Sequence, residues 1–223
     1  MGRTAFITGA TSGIGKATAE LLAQQGYRLI ICGRRAEVLE ELKEKLSSKT
    51  EVYALVFDVR NAGEVERSIA SLPESFKDID ILINNAGNAH GLEPLSDGNI
   101  SDWDMMMDAN VKGLLYVSKP IISRMKEVKR GHIINISSVA ARQTYANGVV
   151  YCASKRAVET DFSKVRFKGD EARAKAVYEG YEALKAEDIA DAVAYCINAP
   201  ERVSIAELCI YPKAQAEPRT ICR

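Results

Sequence analysis

The stretch Arg3-Thr4-Ala5-Phe6-Ile7-Thr8-Gly9-Ala10-Thr11-Ser12-Gly13-Ile14-Gly15 decides the fold. Its first half reads as a short β-strand, and its second half supplies glycines at 9, 13 and 15. Glycine lets a backbone turn tightly and approach a ligand. The helix that begins near Gly13 adds N–H groups and the positive end of its dipole. A strand, a glycine turn and a helix start therefore predict a dinucleotide's pyrophosphate at Gly9, Thr11, Ser12, Gly13, Ile14 and Gly15; a turn without a ligand is the plainer alternative. A nucleoside-triphosphate loop does not fit, because Ala10 replaces its first glycine and Ala17 replaces the Ser or Thr that should follow Lys16.

Outward from this turn, strand-like and helical patterns alternate. Strands are expected over residues 27–32, 51–57, 79–83 and 132–136, with helices over 13–25, 36–46, 62–72 and 101–125. This rhythm predicts right-handed βαβ units and a parallel sheet, an α/β doubly wound arrangement in a single domain. The segment 132–136 is nearly all apolar, as a strand covered on both faces should be. Helical sequence resumes near Gly148. Further helices are expected over 171–181 and 186–197, with a last strand over 204–210. In the long helix, the stripe of Trp103, Met106, Met107, Val111, Leu114, Leu115 and Val117 suits core or a subunit interface.

The 223 residues, 47% of them hydrophobic, suffice for one sizeable domain. Thirty basic and thirty acidic residues cancel, so no net positive field favours nucleic acid or an anionic membrane, and a small-molecule partner held in a pocket is expected. No apolar run approaches the ~18 residues of a membrane span, and strand sequence begins too early for a signal peptide. A cytoplasmic location is the expectation. Cys32, Cys152, Cys196, Cys209 and Cys222 have no metal-ligand spacing and read as reduced packing residues. His90 and His132 read as structural, and no metal is implied.

Two features carry chemistry. The second strand ends in Cys32-Gly33-Arg34-Arg35, where an NAD enzyme usually offers an acid to the adenosine ribose. Paired guanidinium groups there suit a 2′-phosphate, and a solvated pair at a helix start is the plainer alternative. The second feature is Tyr151 and Lys155, four residues apart and therefore on one helical face, with Ser138 upstream.

These motifs resemble those of the short-chain dehydrogenase/reductase family. Thr8 to Gly15 matches its TGxxxGxG turn, Asn84-Asn85-Ala86-Gly87 its NNAG, and Ser138, Tyr151 and Lys155 its Ser and YxxxK, while Asn110 matches the fourth member of its tetrad. The resemblance implies a Rossmann sheet ordered 3-2-1-4-5-6-7 and a nicotinamide cofactor. Asp58 and Val59 would border the adenine, and Asn85, Ala86 and Gly87 the ribose. Lys155 would bond the nicotinamide ribose, its charge favouring loss of the phenol proton, so that Tyr151 acts as general acid and base. Ser138 would bond the substrate oxygen, and Asn110 would hold a water for proton relay. A tetramer is also implied.

A narrower resemblance is to the NADP-dependent 3-hydroxy acid dehydrogenases, which oxidise serine, allo-threonine and related acids. It rests on Glu159-Thr160-Asp161-Phe162-Ser163-Lys164-Val165-Arg166-Phe167-Lys168-Gly169-Asp170, together with Gly33-Arg34-Arg35 and Asp58-Val59-Arg60. It implies that Thr160 touches NADP, that a substrate lid occupies residues 159–185, and that Arg166 or Lys168 pairs with the substrate carboxylate; a solvated loop charge is the alternative. Reduction of another carbonyl, such as a 3-oxoacyl thioester, and an NADPH-binding regulator without turnover remain as other readings.

The chain departs from the family after Lys155. Only Arg156, Ala157 and Val158 separate it from the lid sequence, roughly thirty residues too few by family resemblance, and a parallel crossover alone needs a dozen or more. The interval predicts two segments joined across an omitted stretch near 157–159. A real deletion would damage the cofactor site.

Overall fold

The computed structural model describes residues 2–142, 144–154, 183–213, 215–217 and 220–221. Its centre is β1 (Thr4–Thr8), in which every residue is buried, leading through the glycine turn into α1 (Gly13–Gln24). Then follow β2 (Arg28–Gly33), α2 (Ala36–Ser47), β3 (Val52–Val56), α3 (Ala62–Ala70) and β4 (Ile81–Asn84). After β4 come α4 (Ile100–Met107), a π-helical segment (Asp108–Gly113), α5 (Leu114–Glu127), β5 (His132–Asn135), α6 (Val149–Ser154) and α7 (Ala186–Ile197). The five strands pair in parallel in the order β3-β2-β1-β4-β5. Helices cover both faces of this sheet, which is the doubly wound, Rossmann-type arrangement that the alternation of elements predicts.

Strand alternation decides which helix packs where. Ala5 and Ile7 face α1 and α2 through Leu22, Leu39 and Leu46, and Val193, Ala194 and Ile197 of α7 join the same cluster. Phe6, between them in β1, faces the other way and meets Val65 of α3 with Val117, Ile121 and Met125 of α5. The apolar stripe of the long helix thus divides. Val117 and Met106 are buried, whereas Leu115 and Met107 remain exposed.

Three expectations change. The long helix runs without a break but is not α-helical throughout, because a π-helical segment lies between α4 and α5. β5 is not covered on both sides: its residues alternate between half-buried and exposed, and Ile133 is 38% exposed. Among the described residues it is the edge strand, since none of the strands described lies outside it. Residues 204–210 form no strand; a strand needs a paired neighbour, among the described residues none beside β5 receives this one, and Leu208 stays 47% exposed. The order 3-2-1-4-5-6-7 is therefore seen only as far as its fifth member. The last two strands, β6 (Gln215–Glu217) and β7 (Thr220–Ile221), form a separate antiparallel pair.

The expected helix over 171–181 lies outside the described residues, as do 159–182 of the lid and the junction near 157–159. Cys32 and Cys152 are buried as packing residues, but Cys209 is exposed, in line with the irregular segment that carries it. Cys222 is outside the described residues. Among the described residues no helix is long and apolar enough to cross a membrane.

Candidate active site

The parallel sheet brings the ends of β1, β2 and β4 together, and Thr8 ties two of them. Its Oγ1 accepts hydrogen bonds from the backbone N–H groups of Asn85 (3.0 Å) and Ala86 (2.9 Å). Asn85 returns the contact by donating from Nδ2 to the carbonyls of Thr8 (2.9 Å) and Gly9 (3.1 Å). Its side chain therefore shapes the glycine turn. Gly9 has φ +67°, and a Cβ there would lie 3.0 Å from the Cα of Ala86. A Cβ on Gly15 would collide with the Gly9 carbonyl and Asn85 Nδ2. Both positions require glycine because backbone passes where a side chain would sit.

No acidic residue occupies the first turn of α1, so its positive end is not neutralised from within the helix. Above that end, Arg35 donates to Thr11 Oγ1 from Nη2 (2.8 Å) and Nε (3.2 Å), and to Ser12 Oγ from Nη2 (2.9 Å). Arg34 turns the other way, with Nη1 3.6 Å from Asp58 Oδ2. Asp58 is held by Arg60, whose Nη2 is 2.6 Å from the same oxygen. Burial pushes the Asp58 carboxyl up, but hydrogen bonds from the Arg60 side chain and backbone, with the charges of Arg60 and Arg34, hold it below the usual carboxylate range. Val59 is wedged near Gly113, where a Cβ would come within 2.8 Å of its Cγ2. The turn after β3 thus rests on the π-helical segment.

That segment also carries Asn110, which is buried. A π turn adds a residue to a helical turn and is frequent at functional sites. Asn110 Oδ1 accepts from the Asn88 N–H (2.8 Å), while Nδ2 donates to the Asn88 carbonyl (2.9 Å) and to Ser154 Oγ (2.9 Å). Ser154 in turn donates to the Tyr151 carbonyl (3.0 Å). A chain of hydrogen bonds therefore joins the loop after β4, the π segment and α6. Asn88 and Ser154 are absent from the sequence-based site; their signal is only proximity to the NNAG and YxxxK motifs.

Ser138 is half-buried and caps a short 3₁₀ turn (Val139–Ala141), its Oγ accepting from the Ala140 N–H at 3.1 Å. Accepting through a lone pair leaves the hydroxyl proton for another acceptor. α6 packs against both this turn and α4. Tyr151 is 3% exposed and packs with Met106, Ala140 and Cys152, with Trp103 at the border. It lines a small cleft with His90, Asp102, Trp103 and Val150. His90, expected to be only structural, thus borders the cleft that Tyr151 lines. His132 lies at the far end of β5, its pKa lowered by burial and by the charge of Arg3. Lys155, Thr160 and Arg166 lie outside the described residues. Among the described residues no cluster of side chains suits a metal ion.

The sheet, the glycine turn and this cleft define a nucleotide-binding α/β dehydrogenase fold. The family model described as short chain dehydrogenase matches residues 3–180, and the chain belongs to that family. It is 38% identical to the NADP-dependent 3-hydroxy acid dehydrogenase YdfG of Escherichia coli (strain K12) over 238 residues, covering 95% of each protein. It is 36% identical to the NADP-dependent 3-hydroxy acid dehydrogenase of Schizosaccharomyces pombe, covering 100% of this chain and 97% of the relative. That alignment runs over 251 positions although the chain has 223 residues, so about 28 positions of the relative face no residue here. Among solved structures, the closed form of serine dehydrogenase complexed with NADP+ superposes with a TM-score of 0.84 at 36% identity, covering 94% of this chain and 100% of that one. Serine dehydrogenase from Escherichia coli gives a TM-score of 0.79 at 36% identity, covering 96% and 99%.

Proposed function

We propose that this protein is an NADP-dependent oxidoreductase acting on a short 3-hydroxy acid such as serine, allo-threonine or 3-hydroxypropionate. The observation that carries the reading is the full-length similarity to two proteins of that described activity. The residues present fit the cofactor: the backbone cradle at Gly9 and Gly15 excludes any side chain, and Arg34 and Arg35 stand where NAD enzymes place an acid. When bound there, NADP+ supplies the acceptor for the hydride.

In this reading Gly9, Thr11, Ser12, Gly13, Ile14 and Gly15 face the pyrophosphate, and Arg34 and Arg35 the 2′-phosphate. Asp58 and Val59 lie by the adenine, and Asn85, Ala86, Gly87 and Thr160 along the rest of the dinucleotide. Ser138 Oγ donates to the substrate oxygen, Tyr151 Oη takes the hydroxyl proton as the carbon loses hydride, and Lys155 favours the ionised phenol. The product is the 3-oxo acid. Asn110 holds a water that passes the proton to solvent, and Arg166 pairs with the substrate carboxylate. The finer expectations of a single NADP-binding domain, a cytoplasmic tetramer and a lid over 159–185 belong to the same proposal.

A second reading is an NADPH-binding protein without turnover, favoured by the shortfall against the relative and by the outer edge of β5, which is unpaired among the described residues. Absorbance at 340 nm with NADP+ and the three acids separates the two. Turnover that is lost in Tyr151→Phe, with cofactor binding kept, supports the enzyme. Tight NADPH binding without turnover by the wild type would sink it.

A further inference from the structure

The turn that follows β3 contains an acid in the wrong place for a 2′-phosphate. Asp58 is ionised, only partly exposed, and an ion-pair distance from Arg34. A carboxylate at ion-pair distance from Arg34 competes with a 2′-phosphate for that guanidinium. Arg60 answers that charge. It folds back onto Asp58 with Nε 3.1 and 3.0 Å from the two carboxylate oxygens, Nη2 2.6 Å from Oδ2, and its own N–H 3.0 Å from Oδ1. Glu64, the other acid at this turn, accepts from the Asp58 N–H at 3.2 Å. The Arg34 contact is looser: 3.6 Å is an ion pair but too long for a hydrogen bond. Arg34 is therefore held in place by the shared carboxylate while its donors are not consumed by it, and its side chain is 62% exposed.

We propose that Arg60 is a positioning residue for cofactor choice: by neutralising Asp58 it keeps Arg34 available to a 2′-phosphate, a role that rests on the NADP reading above. Without Arg60, the nearest cation to Asp58 is Arg34. The carboxylate then draws Arg34 into a paired contact. That change acts against the 2′-phosphorylated nucleotide and spares the unphosphorylated one.

Calorimetric titration of the full chain with 2′,5′-ADP and with 5′-AMP tests this without any substrate. The wild type should prefer 2′,5′-ADP. Arg60→Met should cut that preference roughly tenfold, within the range for residues coupled in one charged network, and Arg60→Lys should restore part of it. In an Asp58→Asn background, adding Arg60→Met should change the preference no further, because the acid to be neutralised is gone. A preference unchanged in Arg60→Met, or equal losses for both ligands, overturns the proposal while leaving the NADP reading intact. A wild type that does not distinguish the two ligands overturns the NADP reading itself. If Arg60→Met fails to fold, the ratio in Arg60→Gln decides, and an unchanged ratio there overturns the proposal.

Discussion

Asn110 spends both protons of its amide on fixed partners, Asn88 and Ser154, so its position is set by residues that do not themselves belong to the tetrad. Removing the Ser154 hydroxyl leaves one buried amide proton of Asn110 unpaired and takes one donor from the Tyr151 carbonyl. Ser154→Ala should cost about 1–3 kcal/mol of stability, read from urea denaturation, and should lower kcat more than it weakens NADPH binding. Equal stability in the two proteins would mean that the hydroxyl is not held between Asn110 and Tyr151. Asp58 allows a second residue-scale prediction. Its carboxyl titrates lower in the folded state than its ordinary value of 3.8, so its contribution to stability is complete above that pH and is lost as pH falls through the lowered value. The urea midpoint of the wild type should exceed that of Asp58→Asn at neutral pH, and the gap should close as the solution is taken below pH 3.8. A gap that persists or widens in acid would contradict the Arg60 pairing.

At the scale of elements, the π-helical segment joins the two halves of the site. It carries Asn110 toward α6, and through Gly113 it lies against Val59, the neighbour of Asp58. A methyl at Gly113 would meet Val59 Cγ2 at 2.8 Å and Cβ at 3.0 Å. Gly113→Ala should therefore destabilise the protein by about 1–3 kcal/mol and weaken 2′,5′-ADP binding, because Val59 must shift and takes Asp58 with it. Thermal denaturation and the same titration check both arms; a stable variant with unchanged affinity would uncouple the segment from the turn. This link was not legible in the sequence. The glycine turn, the alternation of strands with helices and the YxxxK spacing are local patterns, and they could be read directly. The π turn, the Asn110–Ser154 bond and the Arg60 fork depend on side chains meeting in space, over 44 residues of sequence in the case of Asn110 and Ser154. The 204–210 segment is irregular for a related reason: its apolar composition fits a strand but cannot supply the strand that must lie beside it.

For the molecule as a whole, the outer edge of β5, unpaired among the described residues, and the short interval after Lys155 are two views of one question. In the family reading, a further strand lies outside β5, and the residues that would form it fall between Lys155 and the lid sequence. About 28 positions of the Schizosaccharomyces pombe relative have no counterpart in this chain, close to the length of a helix end, a crossover and a strand. If the sequence joins two segments of a longer protein, β5 is an interior strand in that protein and Ile133 is covered. If the join is real, the edge must be satisfied in some other way, and the nicotinamide end of the site loses its support. Trypsin distinguishes these cases because it cuts after Arg156 and Lys164. A continuous chain yields the peptide Ala157-Val158-Glu159-Thr160-Asp161-Phe162-Ser163-Lys164, identifiable by tandem mass spectrometry of the natural protein. Our expectation is that this peptide is absent and that peptides of unassigned sequence replace it. Its detection would establish the deletion, and the reading without turnover would then become the stronger one, because an exposed sheet edge carries unpaired backbone groups that the remaining packing must offset within a stability of only ~5–15 kcal/mol.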